Sequence, residues 1–433
     1  MSVEKKIVLI GAGSAMFTQG LVVDLICHKS DIKWHLALVD IERKALNAIS
    51  RLCEKVIKAK NADVVLTYSL DRKDVLVGAD FVVSTIGVGS RRAWEEDVFI
   101  PRKYGVYQPV GDSIAPGGIS RAMRMIPSMI DITRDIERLC PSAYFFNYAN
   151  PMTMICTAIK KATNFPVIGL CHGVKNGHDK LSQIAGYDKK DVTSLAVGLN
   201  HFTIMYDVRH DGDDLWPAII ENIGEDSDVI GPISKAFIKK HNAFVVTDDR
   251  HYSEYLSQYL KKGAYFGKTL GVEAYSFENT IKNGDEIYDK TVEIAYSDKP
   301  LPDDYFKKYD GEHEELVNII YSILNDDRKI YSVNMPNNGA VKNLPNDAVV
   351  EMPAVATARG FKQLMIDDYP DEFAEMIKDQ LEIIDVVVDA ALKGDRELYL
   401  KAILMGDSSL DKSQAKAMVD ELIKAQSEYL PQF

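Results

Sequence analysis

The chain has 433 residues, enough for two domains rather than one small core. Hydrophobic content of 46% and charged content of 27% are ordinary for a soluble globular protein, and a net charge of −13 argues against nucleic acid or an anionic membrane surface as the main partner. The N-terminus enters strand-like sequence with no apolar leader or cleavage site, and no apolar run approaches the roughly 20 residues of a bilayer span. Five scattered cysteines, with no CxxC, argue against a disulfide framework and make a reducing cytoplasm the expected location.

Residues 6–10 read as a compact apolar strand. Gly11-Ala12-Gly13-Ser14 follows, then a helical pattern over 15–27 and a second strand over 35–39 that ends at Asp40. Strand, glycines, helix, strand and acid in that order make the dinucleotide-binding arrangement, with an ordinary tight βα turn as the plainer alternative. The glycines let backbone approach a pyrophosphate at a helix N-terminus, and Asp40 can accept from ribose hydroxyls. The third glycine of GxGxxG is replaced by Met16. An acid at the end of the second strand disfavours a 2′-phosphate, so NAD is expected over NADP.

A helix over 42–58 and strands over 63–67 and 79–85 come next. A polar loop then carries Arg91 and Arg92. Glycines and prolines over 109–118 predict a mobile loop before a helix starting near Gly118, which Pro127 should kink. Arg121 and Arg124 open that helix, either on a solvated face or gripping an anionic substrate group. Six strands alternating with helices as far as Leu170 indicate a doubly wound parallel sheet.

Residues 147–202 hold the densest polar chemistry: N-Y-A-N-P-M, then C-H-G-V, then G-L-N-H-F. The first two follow strand-like runs, and in open α/β sheets the strand ends form the ligand crevice. A thiol (Cys171) and an imidazole (His201) from separate loops suit a borderline divalent metal, and two protein ligands leave coordination positions for substrate. The plainer alternative is a buried small hydrophobe and a satisfied polar residue.

Beyond His201 the pattern changes to an α+β domain covering the crevice. It has a strand over 202–208, mostly helical sequence over 219–262, a loop-rich middle over 283–309, and helices around 314–324, 373–392 and 396–429. The expected domains are 1–195 and 196–433. Tyr255, in H-Y-S-E-Y, falls in a helical stretch. A tyrosine with its ordinary pKa of about 10 acts as a base only where a metal or other cation lowers it.

Taken together, K-I-V-L-I-G-A-G-S, S-R-R-A-W-E-E-D, P-G-G-I-S-R-A-M-R-M-I-P, N-Y-A-N-P-M, C-H-G-V, G-L-N-H-F, H-Y-S-E-Y and N-N-G-A-V-K-N-L-P-N-D-A-V-V-E-M-P resemble glycoside hydrolase family 4 over nearly the whole chain. That family departs from the paired-carboxylate mechanism. The resemblance implies a Rossmann-like fold akin to lactate and malate dehydrogenases, tightly bound NAD held by Gly11, Gly13, Ser14 and Asp40, and a divalent metal, typically Mn2+, on Cys171 and His201. It also implies oxidation at sugar C3, removal of the C2 proton by Tyr255, elimination, water addition and re-reduction. Asn150, with Asn147, would bind substrate hydroxyls. His172 would protonate the leaving oxygen, and its C-H-G context, with Gly173, resembles the α-uronidases, α-galacturonidase or α-glucuronidase. A uronate needs a cation, for which Arg92 is one candidate beside Arg91, Arg121 and Arg124. The resemblance further implies a homodimer or homotetramer.

Neutral α-galactosidase or α-glucosidase activity is the neighbouring alternative. A 2-hydroxyacid dehydrogenase would be shorter and would consume NAD stoichiometrically. A non-enzymatic NAD sensor would carry a separate partner-binding segment.

Overall fold

The computed structural model describes residues 3–28, 30–224, 229–309, 311, 314–407 and 409–433. Six strands run in parallel: β1 (Val3–Ile10), β2 (Ile32–Val39), β3 (Val64–Ser69), β4 (Phe81–Ser84), β5 (Tyr144–Asn147) and β6 (Val167–Gly169), in the spatial order β3-β2-β1-β4-β5-β6. Both faces of such a sheet are covered, so its central strands are apolar throughout: Ile7, Val8, Leu9, Phe81, Val82 and Val83 are fully buried. This order places a topological switch between β1 and β4, where ligands enter at the carboxyl ends.

The sheet does not stop at β6. Strands β7 (Val192–Leu199), β8 (Phe202–His210), β9 (Asp213–Asp214), β10 (Phe244–Val245), β11 (Ile330–Pro336), β12 (Val349–Thr357) and β13 (Gly360–Gln363) extend it in antiparallel pairing, joined through Asn334 of β11 opposite Gly169 of β6. The second half therefore continues the crevice-bearing sheet rather than capping it as a detached layer. The 195/196 boundary falls inside β7, at a register shift.

Several local expectations are corrected. Residues 108–120 are all buried, and the helix begins at Ala115 and runs unbroken through Pro127 to Leu139, so the glycine-rich segment before it is packed rather than a projecting loop. Residues 283–296 lie in the helix Phe277–Tyr296, which buries only Phe277, Ile281, Thr291 and Ala295; that stripe is too narrow to stand out among polar neighbours. Over 219–262 the helices are short, with β10 between them, and residues 225–228 lie outside the described residues, as do Met1 and Ser2. Arg124 sits on no solvated face: side chains 1% and 0% exposed pair Arg124 with Asp97, with Gln426 bonded to both. Cys53, Cys140, Cys156 and Cys171 are free thiols.

Candidate active site

The dinucleotide corner is built locally. Gly11 has φ +90°, and a Cβ there would lie 2.8 Å from the Ile86 nitrogen, so the β1 turn requires glycine. At Gly13 a Cβ would lie 2.6 Å from Asp40 Oδ2. The Gly13 N–H donates to that oxygen at 2.7 Å, and the Glu42 N–H donates to Oδ1 at 2.8 Å. Burial raises the Asp40 carboxyl above its ordinary value, against the lowering by these two donors. Each carboxylate oxygen keeps a lone pair for a ribose hydroxyl. Ser14 lines the adjoining cleft, at the entry to the helix Phe17–Cys27. Corner and residues fit NAD.

The cleft itself is lined by Ser14, Thr85, Arg121, Asn150, His172 and Glu315, among others. On its metal side, Asp112, His201 and His251 bring one ligand atom each within 4.8 Å of one another. Their imidazole centroids are 4.0 Å apart. Asp112 Oδ1 lies 3.6 Å from Nδ1 of both histidines, and the Cys171 thiol lies near enough to the His201 ring to raise its pKa. Ser113 Oγ also bonds His201 Nδ1 and donates to Asp112 Oδ1 at 2.9 Å.

Four separate segments supply this cluster. Cys171 follows β6, His201 occupies the β7–β8 hairpin turn, Asp112 lies in the packed 108–114 segment, and His251 is on the short helix Asp248–Tyr252. His201 is held at φ +65°, unusual for a non-glycine residue. Its turn is fastened on several sides: Thr247 Oγ1 donates to the His201 carbonyl, the Asn200 N–H to Thr153 Oγ1, and Thr203 Oγ1 to Glu351.

Burial alone would raise the Asp112 carboxyl, but the His201 and His251 imidazoles hold it well below the usual range. Burial alone would lower His201, but Asp112 and then Cys171 raise it well above its ordinary value. Burial, then repulsion by His201, pushes His251 down to about 4. Asp112 and His201 thus each favour the charged form of the other. A divalent cation would meet deprotonated ligands here, and the mixed thiol, imidazole and carboxylate set suits a borderline ion such as Mn2+ or Zn2+.

Asn150 faces the cluster. Its Nδ2 donates to Asp112 Oδ2 at 3.0 Å, and its Oδ1 is buried without a partner among the described residues, an acceptor open to a ligand hydroxyl. Asn147 does something else: fully buried, it exchanges hydrogen bonds with Ala149 and shapes the turn leading to Asn150. His172 directly precedes the helix Gly173–Ala185 and lines the cleft; burial, then Lys175, lowers its pKa. A Cβ on Gly173 would lie 3.1 Å from Thr247 Cγ2 and 3.6 Å from Cys171 Sγ, so the C-H-G sequence keeps space beside the thiol.

Tyr255 ends a 3-10 turn rather than lying in a helix. Its ring stacks on Phe202 at 4.8 Å and its hydroxyl donates to the Asn200 carbonyl at 2.9 Å. Burial, then the carboxylates of Glu254, Asp112 and Glu351, raise its pKa well above 10, so only a nearby cation could make it a base. Arg92 is engaged at the surface with Glu95 and Asp285. Asp112 and His251 were missed in the sequence because each is isolated there. The signals available were an acid inside a glycine-rich run and the histidine opening H-Y-S-E-Y.

A doubly wound sheet, a dinucleotide corner and a cation-binding cluster at its strand ends define a cofactor-dependent enzyme class, and the comparisons make it specific. Residues 6–187 match the Family 4 glycosyl hydrolase domain and residues 196–407 the Family 4 glycosyl hydrolase C-terminal domain. The chain is 30% identical to an alpha-galactosidase of Rhizobium meliloti, over 99% of this chain and 89% of that one. It is 29% identical to an alpha-galacturonidase of Lachnoclostridium phytofermentans, over 98% and 97%. Among solved structures, a 6-phospho-alpha-glucosidase from gut microorganisms, in complex with NAD and glucose-6-phosphate, superposes with a TM-score of 0.84 at 25% identity, covering 99% of both chains. Malate dehydrogenase of Cryptosporidium parvum superposes at 0.53, with 15% identity, over 90% of this chain and 99% of that one, which shows the shared fold. The chain belongs to glycosyl hydrolase family 4 and is an enzyme, a glycosidase.

Proposed function

We propose that this enzyme hydrolyses an α-D-galacturonide or α-D-glucuronide, using bound NAD and a divalent cation such as Mn2+ catalytically. The observation that carries the reading is the cluster of Cys171, His201, Asp112 and His251 facing the open acceptor of Asn150. When bound, NAD supplies a reversible hydride acceptor at sugar C3, and the cation supplies a Lewis acid at the neighbouring hydroxyls. Gly11, Gly13, Ser14 and Asp40 hold the dinucleotide. Cys171 and His201 hold the cation, with Asp112 and His251 orienting or completing the set. Asn150 accepts from a sugar hydroxyl. Tyr255, released from the Asn200 carbonyl, takes the C2 proton, and His172 gives a proton to the leaving oxygen.

The C-H-G sequence and the galacturonidase relative favour a uronide. The alpha-galactosidase relative favours a neutral α-galactoside as the second reading. A cytoplasmic homodimer or homotetramer completes the proposal, and no helix among the described residues is long and apolar enough to cross a membrane.

The test is release of p-nitrophenol from matched α-galacturonide, α-glucuronide, α-galactoside and α-glucoside, with trace NAD, Mn2+ and a thiol, each omitted in turn. Uronide cleavage that needs all three is expected. Cleavage of neutral glycosides alone would discard the uronide, and NADH accumulating on a hydroxy acid without cleavage would discard the mechanism.

A further inference from the structure

Four arginines compete for the role of anion anchor, and the structure separates them by what already holds each one. Arg91 Nε donates to Asp285 at 2.6 Å, and Arg92 bonds both Asp285 and Glu95. Arg124 forms a two-pronged pair with buried Asp97, at 2.7 and 2.5 Å. Arg121 has no such partner. Its Nε donates to the Asn150 carbonyl at 3.1 Å, and its guanidinium lies 5.6 Å from the Trp94 ring centroid. Neither terminal nitrogen makes a hydrogen bond or ion pair among the described residues.

The carboxylates that influence Arg121, Asp112 and Asp97, are both committed: Asp112 to the two histidines and Asn150, Asp97 to Arg124. Among the described residues, no carboxylate forms an ion pair with the Arg121 guanidinium in the cleft. A half-buried cation of this kind is costly unless a ligand brings the opposite charge. With Nε occupied, the two terminal nitrogens present the edge that matches a carboxylate bidentately.

Asn150 links this cation to the chemistry. Its carbonyl fixes Arg121 while its side-chain amide reaches Asp112 of the cation-binding cluster. In a hexuronate pyranose the C5 carboxylate lies across the ring from the C2 and C3 hydroxyls. A sugar whose hydroxyls face the cluster therefore has a second end to be held.

We infer that Arg121 binds the carboxylate of the bound sugar and sets the preference for uronides, an inference that rests on the glycosidase reading of the same cleft. A dinucleotide phosphate is the other anion the cleft receives, and the test separates the two. Arg121→Gln and Arg121→Lys would be compared with the wild type on p-nitrophenyl α-galacturonide, α-glucuronide and α-galactoside, with NAD affinity measured by calorimetry. The Gln variant is expected to raise the uronide KM roughly 100-fold while kcat changes less, and the Lys variant to recover part of the loss. NAD affinity should stay within about twofold in both, which also shows that the variants fold.

An unchanged uronide KM in the Gln variant would overturn the anchor while leaving the uronide reading intact. NAD affinity falling in step with activity would overturn it in favour of a phosphate contact. A wild type that cleaves only neutral glycosides would remove the uronide reading, and the anchor with it.

Discussion

The two halves of the cleft are built on opposite plans. The dinucleotide corner comes from one stretch of about thirty residues, and its polar groups largely satisfy one another: Asp40 accepts from Gly13 and Glu42 before any ligand arrives. The cation-binding side gathers Asp112, Cys171, His201 and His251 from four distant segments and leaves polar groups open, Asn150 Oδ1 and the Arg121 terminal nitrogens among them. One side is pre-formed by local sequence. The other is held in place by long-range packing and completed by what it binds.

The largest effect is expected from removing the proposed cation ligands. Cys171→Ala or His201→Ala should lower kcat/KM by roughly a thousandfold, the scale of losing Lewis-acid assistance worth several kcal/mol. Steady-state rates at saturating NAD would show it. A loss below tenfold would mean that the ion is held elsewhere.

Asp112→Asn and His251→Ala come next. Each should weaken Mn2+ binding about 10- to 100-fold, read as the shift in free-ion signal during an EPR titration. Asp40→Ala acts on the other side. It should raise the NAD dissociation constant about tenfold or more and leave Mn2+ affinity alone, which a calorimetric titration of each ligand would separate.

A smaller effect concerns the packed 108–114 segment. Glu254 Oε1 accepts from the Val110 and Gly111 N–H groups, while Oε2 is buried without a partner among the described residues. Burial, then Asp112, pushes this carboxyl up to about 8 from 4.5. Between those values the folded state holds a proton that the unfolded chain has released, so stability is lost as pH rises through the window. Glu254→Gln removes the titration and keeps an acceptor. Its Tm relative to the wild type should rise from pH 4.5 to about pH 8 and then level off; a constant difference across that range would contradict the assignment. Arg92→Ala should do least, changing kcat/KM by less than about threefold, because its ion pairs are exposed.

The same contrast explains what could be read in advance. The central parallel strands were legible because strands buried on both faces are continuous apolar runs, and the Gly11 to Asp40 corner because its parts are close in sequence. Cys171 and His201 were legible as chemistry at strand ends. Asp112 and His251 were not, since nothing local marks them as neighbours of His201. Strand β7 was overlooked because V-T-S-L-A-V-G-L has only a short apolar face and ends in a turn whose histidine takes positive φ. The role of each arginine depended largely on partners farther along the chain: Asp285 for Arg91 and, beside its local Glu95, for Arg92, and Asp97 with Gln426 for Arg124.

The central step of the proposed mechanism is removal of a C2 proton during hydrolysis that consumes no NAD. The most direct measurement is turnover of a cleavable α-glycoside in D2O with catalytic NAD and Mn2+, followed by NMR of the product sugar. Deuterium at C2, with no accumulation of NADH, is the predicted result. A product with protium fully retained at C2 would contradict it.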